Sequence, residues 1–152
     1  MLKVFNVKGE KAVYGMSGRT KAVIAALALL LLAAAVLVIA FSGLYPALPL
    51  LAVALTALVL VFYRDEWVFD NSARTMGDVL GLFVPVTGRE FAYSDIDGIE
   101  VSSFQDGKRE RYSLAIILKE DGTRIDIADG RDKKGLVSLA GRISGFTGLK
   151  FY

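Results

Sequence analysis

The sequence predicts an α+β membrane protein: an N-terminal two-helix transmembrane hairpin, then an antiparallel β-barrel or sheet of five to seven strands, capped by a C-terminal α-helix. Three observations carry this reading. No charged residue occurs in the run of 42 from Ala22 to Tyr63. Short apolar–polar alternations punctuated by Asp-Gly and other glycine-bearing turns follow it. After Gly130 the apolar period becomes helical.

The uncharged run is too long for one span and suits two, since a helix needs about 20 apolar residues to cross a ~30 Å hydrocarbon core. The spans are expected at Ala22–Phe41 and Ala47–Tyr63, with the turn at Ser42–Pro46, "SGLYP". Pro49 is placed in the first turn of the second helix, where its missing N–H costs no intrahelical bond. "VIA" before Phe41 is like a signal-peptidase site, but the apolar region is too long for a signal peptide. Alanines 26, 33 and 40 recur every seven residues in the first span, as do Ala47 and Ala54 in the second, and such small side chains let two helices pack closely. Neither span holds an ionisable side chain, which argues against a transporter or channel and for an anchor. Lys11, Arg19, Lys21, Arg64 and Arg74 flank one side, and the turn has no basic residue. The positive-inside rule then puts both termini in the cytoplasm of a multi-pass inner-membrane protein. Phe41 and Tyr45 would sit at the outer interface, and Phe62, Tyr63 and Trp67 at the inner one.

Three regions follow: a basic N-terminal segment 1–21 with net charge +4, the hairpin 22–63, and a domain 64–152 with net charge −2. Leu2, Val4, Phe5 and Val7 of the first region suit either a strand of the domain's sheet or the membrane surface. In the third, "EWVFD", "TMGDVLGLFVPV", "REFAY", "GIEVSSF", "RYSLAIILK" and "RIDIAD" are the expected strands. "DNSAR", Pro85 to Gly88, "QDGKRE" and "EDGT" supply the turns. Leu136, Val137, Ala140 and Ile143 form the apolar stripe of a helix over about 132–145. Asp129 or Asp132 would cap its start, and Gly145 to Gly148 would end it.

These features together resemble a known family. A membrane hairpin precedes "W-x-F-D", then "F-x-Y-S-D-I-x-x-I-x-V", a long apolar strand, "D-G-T-R-I-D-I" and a final helix ending in "FTGL". The pattern resembles the bacterial pleckstrin-homology-like (PH-like) domain membrane proteins with two N-terminal transmembrane helices. The layout, with "GLFVPVTGREF", is also similar to that of the photosystem I assembly factors of plastids and cyanobacteria. The resemblance implies a partly open barrel capped by the last helix, self-association, and a role in scaffolding or assembly rather than catalysis.

Chemistry-bearing clusters are sparse. With neither cysteine nor histidine, thiolate catalysis, Cys/His zinc sites and histidine triads are excluded. Asp95, Asp97 and Glu100 fail the calcium-loop spacing, because Gly98 directly follows Asp97. They are expected to shape a turn, with Ile96, Ile99 and Val101 in the core. No phosphate-loop motif is present. No catalytic, metal or cofactor-binding residue is therefore expected, and the protein is read as no enzyme. The near-neutral domain argues against nucleic acid. Expected partners are the bilayer itself and a protein partner or second copy. The candidate contact residues are Lys108, Arg109 and Arg111 in "KRER", and Arg131, Lys133 and Lys134 in "RDKK"; these also suit anionic lipid.

Overall fold

The computed structural model of the chain describes residues 3–82 and 86–152. Leu2, and the stretch Phe83 to Pro85 of the expected second strand, lie outside the described residues.

Two compact units emerge. The first centres on Gly15–Glu66 and contains α1 (Gly18–Ser42) and α2 (Leu44–Phe62). Ser17 caps α1: its Oγ accepts the Thr20 amide at 3.1 Å, satisfying one of the free N–H groups of the first turn. Gly43 alone separates the helices, with φ of 88°. The expected five-residue turn is therefore one residue long, because Ser42 ends α1 and Leu44, Tyr45 and Pro46 begin α2. Pro46 falls in its first turn, while Pro49 lies inside the helix, three residues beyond the place assigned to it. The helices pack through Ala28 and Ala35 against Ala47 and Ala54, all fully buried. Ala26, Ala33 and Ala40 are exposed, which corrects the expected seam in α1. That span has alanines in several seven-residue phases, so spacing alone does not choose between them. Thr56 donates its hydroxyl to the Ala52 carbonyl at 2.9 Å, so this polar group is satisfied within its own helix. Both helices are long and apolar enough to cross a membrane.

The second unit gathers residues from both flanks of the hairpin: Phe5–Tyr14, Trp67–Asp78 and Thr87–Tyr152. Of the two placements open for the N-terminal segment, the described residues take the strand. β1 (Lys3–Lys8) turns at Gly9, with φ of 60°, into β2 (Lys11–Met16). β2 pairs antiparallel with β3 (Tyr63–Asp70), Lys11 opposite Asp70 and Tyr14 opposite Trp67. The helical hairpin is thus inserted between two strands that pair with each other. β4 (Thr75–Leu82) and β5 (Val86–Ala92) complete a sheet of order β1-β2-β3-β4-β5.

A 3-10 turn, Tyr93–Asp95, follows, and β6 (Ile96–Asp106), β7 (Arg109–Leu118) and β8 (Arg124–Gly130) form a separate antiparallel sheet. Among the described residues the strands form these two sheets and do not close into one barrel. The turn at Tyr93–Asp95 lies between the last strand of the first sheet and the first strand of the second. "QDGKRE" tightens to a two-residue turn, Gly107-Lys108, with Gly107 at φ 63°.

α3 (Lys133–Thr147) starts on Asp132, whose carboxylate accepts the Gly135 amide at 3.0 Å, and ends on Gly148 in the left-handed region. Its buried stripe is Leu136, Leu139, Ala140, Ile143 and Thr147. Val137 is 38% exposed and Leu139 takes its place, since 136, 139, 140 and 143 keep one face where 137 turns away. One core joins both sheets to this helix: Phe5, Trp67, Phe69 and Met76 meet Ile96, Ile99, Leu114 and Ile116, with Leu136 and Ile143. Phe5 packs edge-on against Phe69 and Phe146. Trp67, expected at the membrane interface, is instead 5% exposed in this core. The alternation Trp67–Val68–Phe69 is that of a half-buried strand.

Candidate functional site

The six candidate basic residues occupy adjoining turns at one end of the three-stranded sheet. Lys108, Arg109 and Arg111 flank the β6–β7 turn, and Arg131, Lys133 and Lys134 span the β8–α3 junction. Register brings them together, because Tyr112 on β7 lies opposite Gly130 on β8. The cluster is compensated only in part. Arg111 bridges Asp106 at 3.1 Å and Asp129, and its guanidinium lies 5.9 Å from the Phe104 ring centroid. Lys133 sits 5.5 Å over the Tyr112 ring. Among the described residues Lys108, Arg109, Arg131 and Lys134 form no ion pair, and all four are exposed.

The carboxylates of Asp95 to Glu100 do not converge. Asp95 accepts the Ser94 hydroxyl at 2.9 Å, Asp97 accepts the Tyr152 hydroxyl at 3.0 Å, and Glu100 faces Arg124 at 3.6 Å. Between them Ile96 and Ile99 are fully buried and Val101 packs partly against the core. Gly98 serves the chain end: a Cβ there would lie 2.4 Å from the Tyr152 ring. In that space Lys150 and Tyr152 dock on the outer edge of β6, the Ile99 amide donating to Lys150 O at 2.8 Å and the Tyr152 amide to Ile99 O at 3.0 Å. Among the described residues no group of three or more acidic side chains is placed to hold a metal ion.

A cleft of about 600 Å³ opens at the other end of α3. It is lined by the β3–β4 turn (Ala73, Arg74), the 3-10 turn (Tyr93, Ser94), Lys119 after β7, and Gly148 to Lys150. Arg74 has φ of 57°, and it is the one non-glycine residue with positive φ among those described. Its guanidinium lies 5.3 Å over the Tyr93 ring, and the Tyr93 amide donates to Arg74 O at 2.8 Å. Tyr93 is 3% exposed, and its hydroxyl has no hydrogen-bond partner among the described residues. Burial pushes that phenol up to about 12. Lys119 donates to Ser94 O at 2.7 Å. Local sequence carries little trace of this cleft, since its walls come from four separated segments. Only Arg74, the basic residue of "DNSAR", stands out, and its meaning depends on a backbone angle.

No family model and no curated protein matches this chain.

Proposed function

We propose that the protein is a non-catalytic, membrane-anchored interaction module. A PH-like domain at the cytoplasmic face of the inner membrane contacts a protein partner, or a second copy, in scaffolding or assembly of a membrane complex. The observation that carries this reading is the pairing of β2 with β3 across the helical hairpin. Two spans return the chain to the side it left, so strands from before and after them belong to one domain on one side of the bilayer. The basic flank and the uncharged turn support a cytoplasmic placement of that side. The antiparallel sheets and the C-terminal helix are the observed α+β elements on which this reading is built. Contact surfaces are the sheet edges and the outer face of α3, where Val137, Ser138, Gly141 and Gly145 are exposed.

Crosslinking followed by affinity purification of the full-length protein from native membranes tests this. The expected product is a defined partner or homo-oligomer, and recovery of monomer alone overturns the reading. The chain has no cysteine, so single cysteines at Gly9, Gly43 and Gly107 test the topology without background. Gly9 and Gly107 should label from the cytoplasmic side and Gly43 from the opposite one.

A second reading, an anionic-lipid-interacting surface module, is favoured by one observation: Lys108, Arg109, Arg131 and Lys134 share a turn cluster and form no ion pair among the described residues. Salt-sensitive association with anionic vesicles, reduced by charge removal at these four, supports it; salt-insensitive absence of association overturns it.

A further inference from the structure

We propose that the outer face of the three-stranded sheet docks the basic turns of a second copy of this chain, so that two copies pair about a two-fold axis. The inference rests on the interaction module proposed above and names which surfaces meet.

The face turned away from the core carries an ordered layer of charge. Register sets Glu100 opposite Ala115, Ala115 opposite Asp126, and Ser113 opposite Asp129. Arg124 on β8 meets Glu100 on β6 at 3.6 Å and Asp126 at 3.5 Å, so its guanidinium spans β7, where Ser113 and Ala115 are buried. Arg111 lies in the same way between Asp106 and Asp129. Each arginine is shared by two carboxylates, so four acids against two arginines leave the face at −2. The carboxylates of Asp106, Asp126 and Asp129 are more than half exposed. Their mutual bonds already hold these side chains in place, which lowers the ordering cost of docking.

The adjoining turns have the opposite sign. Lys108, Arg109, Arg131, Lys133 and Lys134 against Glu110 and Asp132 leave +3. The nearest acids of the face, Asp106 and Asp129, are engaged by Arg111 and not by these cations. A basic segment of another protein would match the face and leave the turns unused, whereas a second copy uses both.

Position selects the geometry. Asp106 runs into Gly107-Lys108, and Asp129 into Gly130-Arg131, so face and turns share a border. A two-fold axis at that border sets each face on the other copy's turns at once, the self-complementary arrangement of closed dimers. Phe104 stands at the border on the face of Glu100, 42% exposed and beside Arg111. An exposed aromatic there supplies the central anchor, while the charges around it fix register.

The test measures energy transfer between donor- and acceptor-labelled full-length copies in phosphatidylcholine vesicles, each labelled at Lys8→Cys. Asp106→Lys with Asp126→Lys reverses the face and leaves each arginine one carboxylate, Asp129 or Glu100. Lys108→Glu with Lys134→Glu reverses the turns. The unfolding midpoint read from Trp67 verifies that each variant folds. The expected result is transfer linear in acceptor fraction, as in a pair, and lost at about 0.5 M salt. Either reversal alone weakens association about tenfold or more, as does Phe104→Ser, and mixing the two reversed variants restores it. Failure of folded reversed variants to recover on mixing overturns the proposal, as does transfer of higher order than a pair. Loss of wild-type transfer on adding phosphatidylserine assigns the turns to lipid and also overturns it. A homo-oligomer indifferent to both reversals overturns this interface and leaves the interaction module standing; monomer alone, in vesicles and in native membranes, overturns both.

Discussion

Replacing Ile143 by alanine tests whether α3 is the structural lid of the domain. Ile143 is fully buried on the helix face that meets the three-stranded sheet. Removing three carbon groups at about 0.8 kcal/mol each costs about 2.4 kcal/mol of transfer free energy. A residual cavity of about 40 Å³, at about 24 cal/mol per Å³, adds about 1 kcal/mol. The sum is about 3.4 kcal/mol, inside the 2–5 kcal/mol typical of such truncations. Val137→Ala is the control on the same helix, 38% exposed and expected to cost about 0.5 kcal/mol. The single tryptophan, Trp67, lies in the same core and reports unfolding by fluorescence without a label. With a urea m-value of about 1–1.5 kcal/mol/M, Ile143→Ala should lower the midpoint by about 2–3 M and Val137→Ala by less than about 0.5 M. Equal shifts for the two variants would refute the packing of α3 described above.

Ile96→Asp places a carboxylate in the core beside Ile99 and should abolish cooperative unfolding, whereas Asp97→Ala loses only the exposed bond to Tyr152 and should shift stability by less than about 1 kcal/mol. Gly148→Ala meets open space but keeps a positive φ of 75°, so it should cost about 1 kcal/mol of helix-end stability, read as a lower thermal midpoint. Burial raises Tyr93 from 10.0 to about 12, so the fold prefers its neutral phenol. That contribution is complete below pH 10 and lost as pH rises through about 12. Tyr93→Phe should therefore flatten the fall in thermal midpoint between about pH 10 and 12, and should remove a late-titrating component from the wild-type tyrosinate absorbance.

The two helices long and apolar enough to cross a membrane were legible because Ala22 to Tyr63 runs 42 residues without a charge, too long for one span and enough for two. β6, β7 and β8 were legible too, since Gly107 and Gly122 mark their turns, β7 carries the apolar run Leu114 to Leu118, and Ile125 and Ile127 alternate with polar neighbours in β8. What stayed hidden depended on three-dimensional choice. Ala28 and Ala35 win over Ala26 and Ala33 by contact with α2, which no spacing within α1 decides. Trp67 and Phe5 belong to a core assembled from both sides of the hairpin, and only pairing of β2 with β3 reveals that. The basic turn residues were found because they are adjacent in sequence. Arg74, Lys119 and Lys150 were not grouped, because the sequence separates what the cleft brings together.

The insertion of the spans between β2 and β3 sets an order on biogenesis. When Lys11 leaves the ribosome its partner Asp70 lies about 60 residues behind, some 3–12 s away at 5–20 residues per second. In that interval the first hairpin, β1–β2, has no neighbouring strand, and an isolated two-stranded hairpin is marginal in water. The core around Phe5, Ala12 and Tyr14 can close only after both helices have been made and β3 has emerged. A chain whose second helix fails to enter the bilayer is left with an open strand edge and unburied aromatic residues, a state that chaperones and proteases recognise. On the proposed membrane topology, entry of both helices is thereby a precondition for a folded domain.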